Sequence, residues 1–233
     1  MTRPWRIVDS VHTDAGLLDL RQRGQTEFLI TIDGRVLMNS SANQSEIDLA
    51  KLGCGFLKNN KNSRVLIGGL GMGFTLKAAI DTLPTDAEIV VAELNPIMVK
   101  WCRGPIARFT GRAVDDPRVR IVINDVASLI RYAAMKGRGN RFDAIILDLY
   151  EGPHGGAPER GEYLYGEMAL KSSSSALKAG GVLAVWSEDP DKTIEKRLKA
   201  ARFSFNRPRT VRGVRRHLVY IARKTPDARA TRY

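Results

Sequence analysis

Val65-Leu-Ile-Gly-Gly-Leu-Gly-Met-Gly73 decides the fold. Arg64-Val-Leu-Ile67 is a short apolar run of buried-strand type, the glycines follow at once, and a helical pattern opens at Phe74 and runs to about Leu83. A glycine-rich turn between a strand and a helix lets a ligand approach the backbone, with free helix N–H groups nearby. The spacing is informative. A dinucleotide fingerprint needs Gly-x-Gly-x-x-Gly, but counting from Gly69 the third place is Phe74, and from Gly71 it is Leu76. What stands here is Gly69-x-Gly71-x-Gly73.

Outward from this turn, strands and helices alternate. Glu88-Ile-Val-Val-Ala92 is a second strand ending at Glu93, Pro96 to about Phe109 a helix, and Val119-Arg-Ile-Val-Ile123 a third strand. Val126 to about Met135 reads as a helix, Phe142 to Leu147 as a fourth strand ending at Asp148, and about Tyr163 to Leu177 as a helix stopped by Gly180-Gly181. Val182-Leu-Ala-Val-Trp186 is the fifth strand, Lys192 to Ala201 a helix, and Ser204-Phe205 with His217 to Ala222 a late hairpin. This order predicts an α/β, Rossmann-like, mostly parallel sheet with helices on both faces. Ahead of it, Trp5–Val11, Gly16–Gln22 and Glu27–Ile32 read as strands, the last turning at Asp33-Gly34 into Arg35–Met38. Asp-Gly between apolar runs is a hairpin signal. We therefore expect a small antiparallel β element over residues 1–44 and a nucleoside-binding domain over 45–233, its first helix running from Ser45 to about Leu57.

Three acids end successive strands and so converge on one crevice at the carboxyl edge of the sheet. Glu93 lies 24 residues after Gly69, where a carboxylate accepts the ribose hydroxyls of an adenosine ligand. Asp125 follows the third strand, where it can accept from an adenine amino group or cap the helix at Val126. Leu94 and Val126, next to these acids, complete the expected nucleoside contacts. The acidic lining suits a cationic sulfonium. Asp148 opens a loop, Asp148-Leu-Tyr150-Glu151-Gly-Pro153, and is placed to hold an amine, take its proton and steady positive charge during an in-line displacement.

Composition narrows the classes. The chain has 233 residues, 43% of them hydrophobic, which is enough for a large core. Its start has no apolar stretch of secretory type and its apolar runs are too short to span a bilayer, so a cytoplasmic location without membrane contact is expected. Cys54 and Cys102 and three histidines make no zinc pattern, and no metal is expected. Net charge is +12, and residues 191–233 hold fourteen Lys and Arg against three acids. That stretch is either a solvated basic tail or a patch for a polyanion such as RNA or DNA.

The glycine spacing is typical of the methyltransferase-like fold. With it, Ile32-Asp-Gly-Arg-Val36, Val91-Ala-Glu93, Asn124-Asp125, Phe142 to Asp148, Leu164-Tyr165 and Ala179-Gly-Gly-Val-Leu183 resemble the spermidine synthase (polyamine aminopropyltransferase) family, in particular its short, divergent bacterial members. The resemblance implies decarboxylated S-adenosylmethionine as donor, an amine acceptor, a homodimer, Asp148 as acid/base and Glu93 as ribose binder. It also shows departures. The family loop Asp-Ser-x-Asp-Pro is here Asp148-Leu-Tyr150-Glu151-Gly, with Glu151 in place of the second aspartate that helps hold the polyamine. The family's Tyr-His-Glu corresponds to Gln44-Ser45-Glu46, and a glutamine on the preceding strand to Leu37. The N-terminal β element is also shorter. An acidic acceptor pocket from Asp148, Glu151 and Glu46 is expected. Two other functions fit the same cleft: methyl transfer from S-adenosylmethionine, and nucleoside binding without turnover by a protein whose basic C-terminus contacts nucleic acid.

Overall fold

The computed structural model describes residues 3–149, 163–187, 189–208 and 218–225. The chain opens with four antiparallel strands in sequential order: β1 (Arg6–Thr13), β2 (Gly16–Arg23), β3 (Glu27–Ile32) and β4 (Arg35–Asn39). The β3–β4 turn holds Asp33 at φ 47° and Gly34 at φ 79°, the pair of positive values that a two-residue hairpin of matching twist requires. The Asp33 carboxylate accepts from the Leu17 amide at 2.8 Å and so ties this turn to the start of β2.

A seven-stranded sheet follows. Its strands are β5 (Arg64–Gly68), β6 (Glu88–Glu93), β7 (Val119–Ile123), β8 (Phe142–Leu147), β9 (Leu177–Ser187), β10 (Phe203–Asn206) and β11 (Leu218–Lys224), in the order β10-β11-β9-β8-β5-β6-β7. The five from β9 to β7 are parallel; β11 pairs antiparallel with both β9 and β10. Helices α1 (Gln44–Cys54), α2 (Phe74–Thr82), α3 (Pro96–Arg103), α4 (Val126–Lys136), α5 (Glu167–Ala176) and α6 (Lys192–Ala200) cover the two faces.

Alternation along each strand builds the two layers. Val65, Ile67, Ile89, Val91, Ala144 and Ile146 face one core, which also holds Leu49 of α1, Leu76 of α2 and Trp101 of α3. Leu66, Val90, Ile145, Leu147, Leu183 and Val185 face the other, with Ile130 of α4, Leu170 of α5 and Leu198 of α6. Each fully buried Val, Leu or Ile among these contributes roughly 1.5–3 kcal/mol. Leu18, Leu20, Phe28 and Ile30 of the N-terminal sheet belong to the first of these cores, without a break. Asp9 on β1 clasps the same junction from outside, accepting from the Trp101 indole at 3.0 Å and the Lys100 ammonium at 3.2 Å.

Three boundaries differ from the reading of the sequence. The helix expected from Tyr163 is interrupted at Gly166, before α5 starts. The expected stop at Gly180-Gly181 lies inside β9, which begins at Leu177. Between Leu177 and Val182 the strand bulges, because β8 advances only from Phe142 to Ala144 over the same interval. Gly180, at φ 73°, turns the chain there. Finally, α3 ends at Arg103, where Gly104-Pro105 removes helix propensity and an amide donor, and only a short 3-10 turn at Ala107–Phe109 follows.

Candidate active site

The strand order reverses between β5 and β8, so their carboxyl ends part around a crevice, the usual ligand position in an open α/β sheet. The glycine turn forms its floor. Gly69 (φ 90°) and Gly71 (φ 52°) have backbones that side chains rarely adopt, and neither has room for one. A β-carbon at Gly69 would overlap the Asp148 carbonyl oxygen, and one at Gly71 would lie 2.7 Å from Met38 Cε of β4. Gly73 caps α2 in the left-handed conformation.

Glu93 is buried at the end of β6. One carboxylate oxygen accepts from the Leu70 amide at 2.9 Å, the other from the Asn95 amide at 2.8 Å. Burial pushes its carboxyl above the usual range, and the amides of Asn95, Leu70 and Leu94 work against that. Each oxygen keeps a second lone pair, enough to accept two hydroxyls. Leu94 is 65% exposed at the rim, an uncovered apolar surface beside the acid. Ile123, which pairs with Glu93 across the sheet, is exposed as well, a second apolar side chain beside the acid. Asp125 caps α4 by accepting from the Ala127 amide at 3.0 Å. Its other oxygen accepts from the Tyr163 hydroxyl at 2.5 Å, and the Arg131 guanidinium lies over the Tyr163 ring at 4.9 Å. Val126 is buried, its side chain packed against Gly68 under the turn.

Asp148 leaves β8 at the crevice, its amide bonded to the Gly68 carbonyl at 2.9 Å. Its carboxyl is pushed up to about 7, first by burial and then by the charge of Glu46; a hydrogen bond from Thr75 pulls the other way. Glu46 is itself buried, in the first turn of α1, and accepts from the Ser45 hydroxyl at 2.6 Å. Tyr165 is buried too, and its hydroxyl has no hydrogen-bond partner among the described residues. Burial, and then the Asp148 charge, raise that phenol. The structure thus brings together Gly69, Gly71, Glu93 and Asp148, with Asp125 and Leu94 at the rim, and adds Thr75 and Tyr165. Thr75 reaches Asp148 across 73 residues of sequence and carries no local signal. Tyr150 and Glu151 lie outside the described residues, as do residues 209–217 and 226–233 of the basic stretch.

Among the described residues no group of three or more His, Cys, Asp or Glu could hold a metal ion. Both cysteines are free, and burial pushes each thiol up to about 12, with the Glu93 charge adding to the effect at Cys102. No helix among these residues is long and apolar enough to cross a membrane.

The parallel sheet with its antiparallel edge, the glycine turn and the strand-end acids define the class of proteins with a methyltransferase-like fold. Within that class, the spermine/spermidine synthase domain matches residues 45–203, more than half of the chain, and the chain belongs to that family. A polyamine aminopropyltransferase of Mycobacterium tuberculosis is 32% identical over 129 residues, which cover 55% of this chain and 23% of the relative. One from Thermotoga maritima is 25% identical over 185 residues, 79% of this chain and 58% of the relative. The chain thus spans less than two thirds of the length of these curated relatives. The crystal structure of spermidine synthase from Thermotoga maritima superposes with a TM-score of 0.71 at 24% identity, covering 95% of this chain and 74% of that one. A spermidine synthase in complex with the transition-state analogue AdoDATO gives 0.70, also at 24% identity, over 95% and 73%.

Proposed function

We propose that the chain is a transferase that moves an aminopropyl group from decarboxylated S-adenosylmethionine to a small amine, with Asp148 as its acid/base. The carrying observation is the position and state of Asp148. It stands beside the glycine turn, half-buried near a second acid, Glu46, with its carboxyl raised to about 7. A base in that range is half ionised at neutral pH, near the value at which general acid–base catalysis is most efficient.

In this reading Glu93 accepts the two ribose hydroxyls with its spare lone pairs, and Asp125 accepts from the adenine amino group with the lone pair left beside its capping bond. Leu94 covers the base, and Gly69 and Gly71 let the turn backbone close against Asp148 and Met38 to form the floor under the chain between ribose and sulfur. Asp148 takes a proton from the acceptor ammonium. The freed nitrogen lone pair attacks the aminopropyl carbon on the sulfonium. The C–N bond forms, the C–S bond breaks, its electron pair stays on sulfur, and neutral methylthioadenosine leaves. Glu46 offsets the positive charge that passes to the new secondary ammonium. Tyr150 and Glu151 are proposed as further acceptor contacts on the grounds of sequence alone.

The acidic surroundings of Asp148 favour a decarboxylated donor. S-Adenosylmethionine carries a carboxylate that would approach Asp148 and Glu46, a like-charge arrangement that opposes binding. Methyl transfer is therefore the second choice. The deciding experiment incubates the protein with decarboxylated S-adenosylmethionine and putrescine, then a panel of diamines, and measures methylthioadenosine. Release is expected; no release with any amine overturns the proposal. Tighter calorimetric binding of S-adenosylmethionine than of its decarboxylated form would move the assignment to methyl transfer. The family resemblance also carries a homodimer, which light scattering on the purified protein tests, and the composition supports a cytoplasmic location.

A further inference from the structure

Thr75 is the second residue of α2, directly behind the glycine turn, and its side chain is buried. Its hydroxyl oxygen lies 2.5 Å from Asp148 Oδ2 and 3.4 Å from the carbonyl oxygen of Glu46. A hydroxyl has one proton and two lone pairs, so it donates to one of these oxygens at a time. An ionised Asp148 only accepts, and the Thr75 proton then points at Oδ2. A protonated Asp148 has a proton of its own to place. Thr75 Oγ1 is the oxygen within reach, and accepting that proton leaves the threonine hydroxyl to turn to the Glu46 carbonyl.

We propose that Thr75 is a positioning residue for Asp148, a hydroxyl rotor that swings between the Asp148 carboxyl and the Glu46 carbonyl and keeps Asp148 hydrogen-bonded both with and without its proton. A general base changes protonation state in every cycle, and in a buried site an unpaired state is expensive. The rotor gives each state a partner without moving the carboxylate, so its aim at the acceptor is retained through the cycle. Among the described residues, the titratable groups facing Asp148 are the Glu46 carboxylate from α1 and the Tyr165 phenol from the segment before α5. Neither is removed by a change at Thr75. In its catalytic consequence the rotor rests on the aminopropyl-transfer reading; the rotor itself is a property of the free protein.

Thr75→Val keeps the shape and deletes the hydroxyl. The ionised carboxylate loses a charge-assisted hydrogen bond and the protonated acid a weaker neutral one, so the balance moves toward the proton. The test titrates the carboxyl of Asp148 by carbon-13 NMR in the free protein, with the signal assigned through Asp148→Asn. The acidic limb of kcat/KM with decarboxylated S-adenosylmethionine and putrescine is measured beside it. In Thr75→Val we expect both midpoints to rise by about one pH unit, a tenfold change in proton affinity. In Thr75→Ser, which keeps the rotor, both stay within a few tenths of a unit. An unmoved carboxyl midpoint in Thr75→Val, or an equal rise in Thr75→Ser, overturns the proposal. Should Thr75→Val not fold, Thr75→Ala makes the same comparison. Absence of turnover with every amine would defeat the proposed function, while the carboxyl titration would still decide the rotor.

Discussion

The carbonyl oxygen of Asp148 occupies the place where Gly69 would carry a β-carbon. Gly69 also sits at φ 90°, so steric overlap and backbone strain act at one position. Gly69→Ala is expected to destabilise the protein by roughly 2–4 kcal/mol. Gly139→Ala, which meets nothing within 4 Å, serves as the control and should stay within about 0.5 kcal/mol. Denaturant unfolding of the two variants checks this, and equal midpoints would contradict the overlap.

Glu93 holds the Leu70 and Asn95 amides while keeping lone pairs for a ligand. Glu93→Gln keeps the side-chain shape but exchanges an oxygen for an amide group that meets a backbone N–H. We expect methylthioadenosine to bind about 10–100-fold more weakly, the loss of one or two hydrogen bonds to a charged group. Calorimetry gives the answer directly. Unchanged affinity would mean that the sugar is held elsewhere.

The raised carboxyl of Asp148 links stability to pH. Its folded value of about 7 lies above the ordinary 3.8, so between these values the folded protein holds a proton that the unfolded chain has released. Stability then falls as pH rises from about 4 to 7, and the full penalty is present above 7. Asp148→Asn removes it. The variant should melt close to the parent at pH 4 and higher above pH 7, by ~1 kcal/mol or more, about 2–4 °C. The same variant should lower aminopropyl transfer by roughly 10²–10⁴. A melting difference independent of pH would refute the linkage.

Tyr165 buries a hydroxyl with no partner among the described residues. Removing such a group recovers part of its desolvation cost, so Tyr165→Phe is expected to be more stable than the parent by about 1 kcal/mol. Thermal unfolding would settle this: a lower midpoint means that the hydroxyl is bonded in solution.

Much of this site can be read along the chain, because its parts end strands. The run Val65–Gly73 and the acids Glu93, Asp125 and Asp148 each follow an apolar strand, and parallel strands deliver their ends to one edge. The unbroken apolar runs Ile89–Ala92 and Ala144–Leu147 marked strands covered on both faces, and their successive residues divide between the two cores. The parts that escaped depend on packing between distant segments. Thr75 meets Asp148, and Met38 meets Gly71, only because α2 and β4 fold over the turn. Tyr163 looks like an ordinary helix residue until its hydroxyl is found on Asp125. The β9 bulge was hidden because glycine pairs also end helices, and pairing with β8 decides between the two.

The first core runs unbroken from Leu20 and Ile30 into Ile67 and Val91, and Asp9 fastens β1 to Trp101 from outside. The N-terminal strands are therefore not an ornament that trimming would leave harmless. Deleting them would strip a wall from Leu49 and Trp101, so the remainder should aggregate rather than persist as a smaller protein. Heat should dismantle both sheets in a single transition, with the indole of Trp101 at their seam changing its emission in step with the loss of helix.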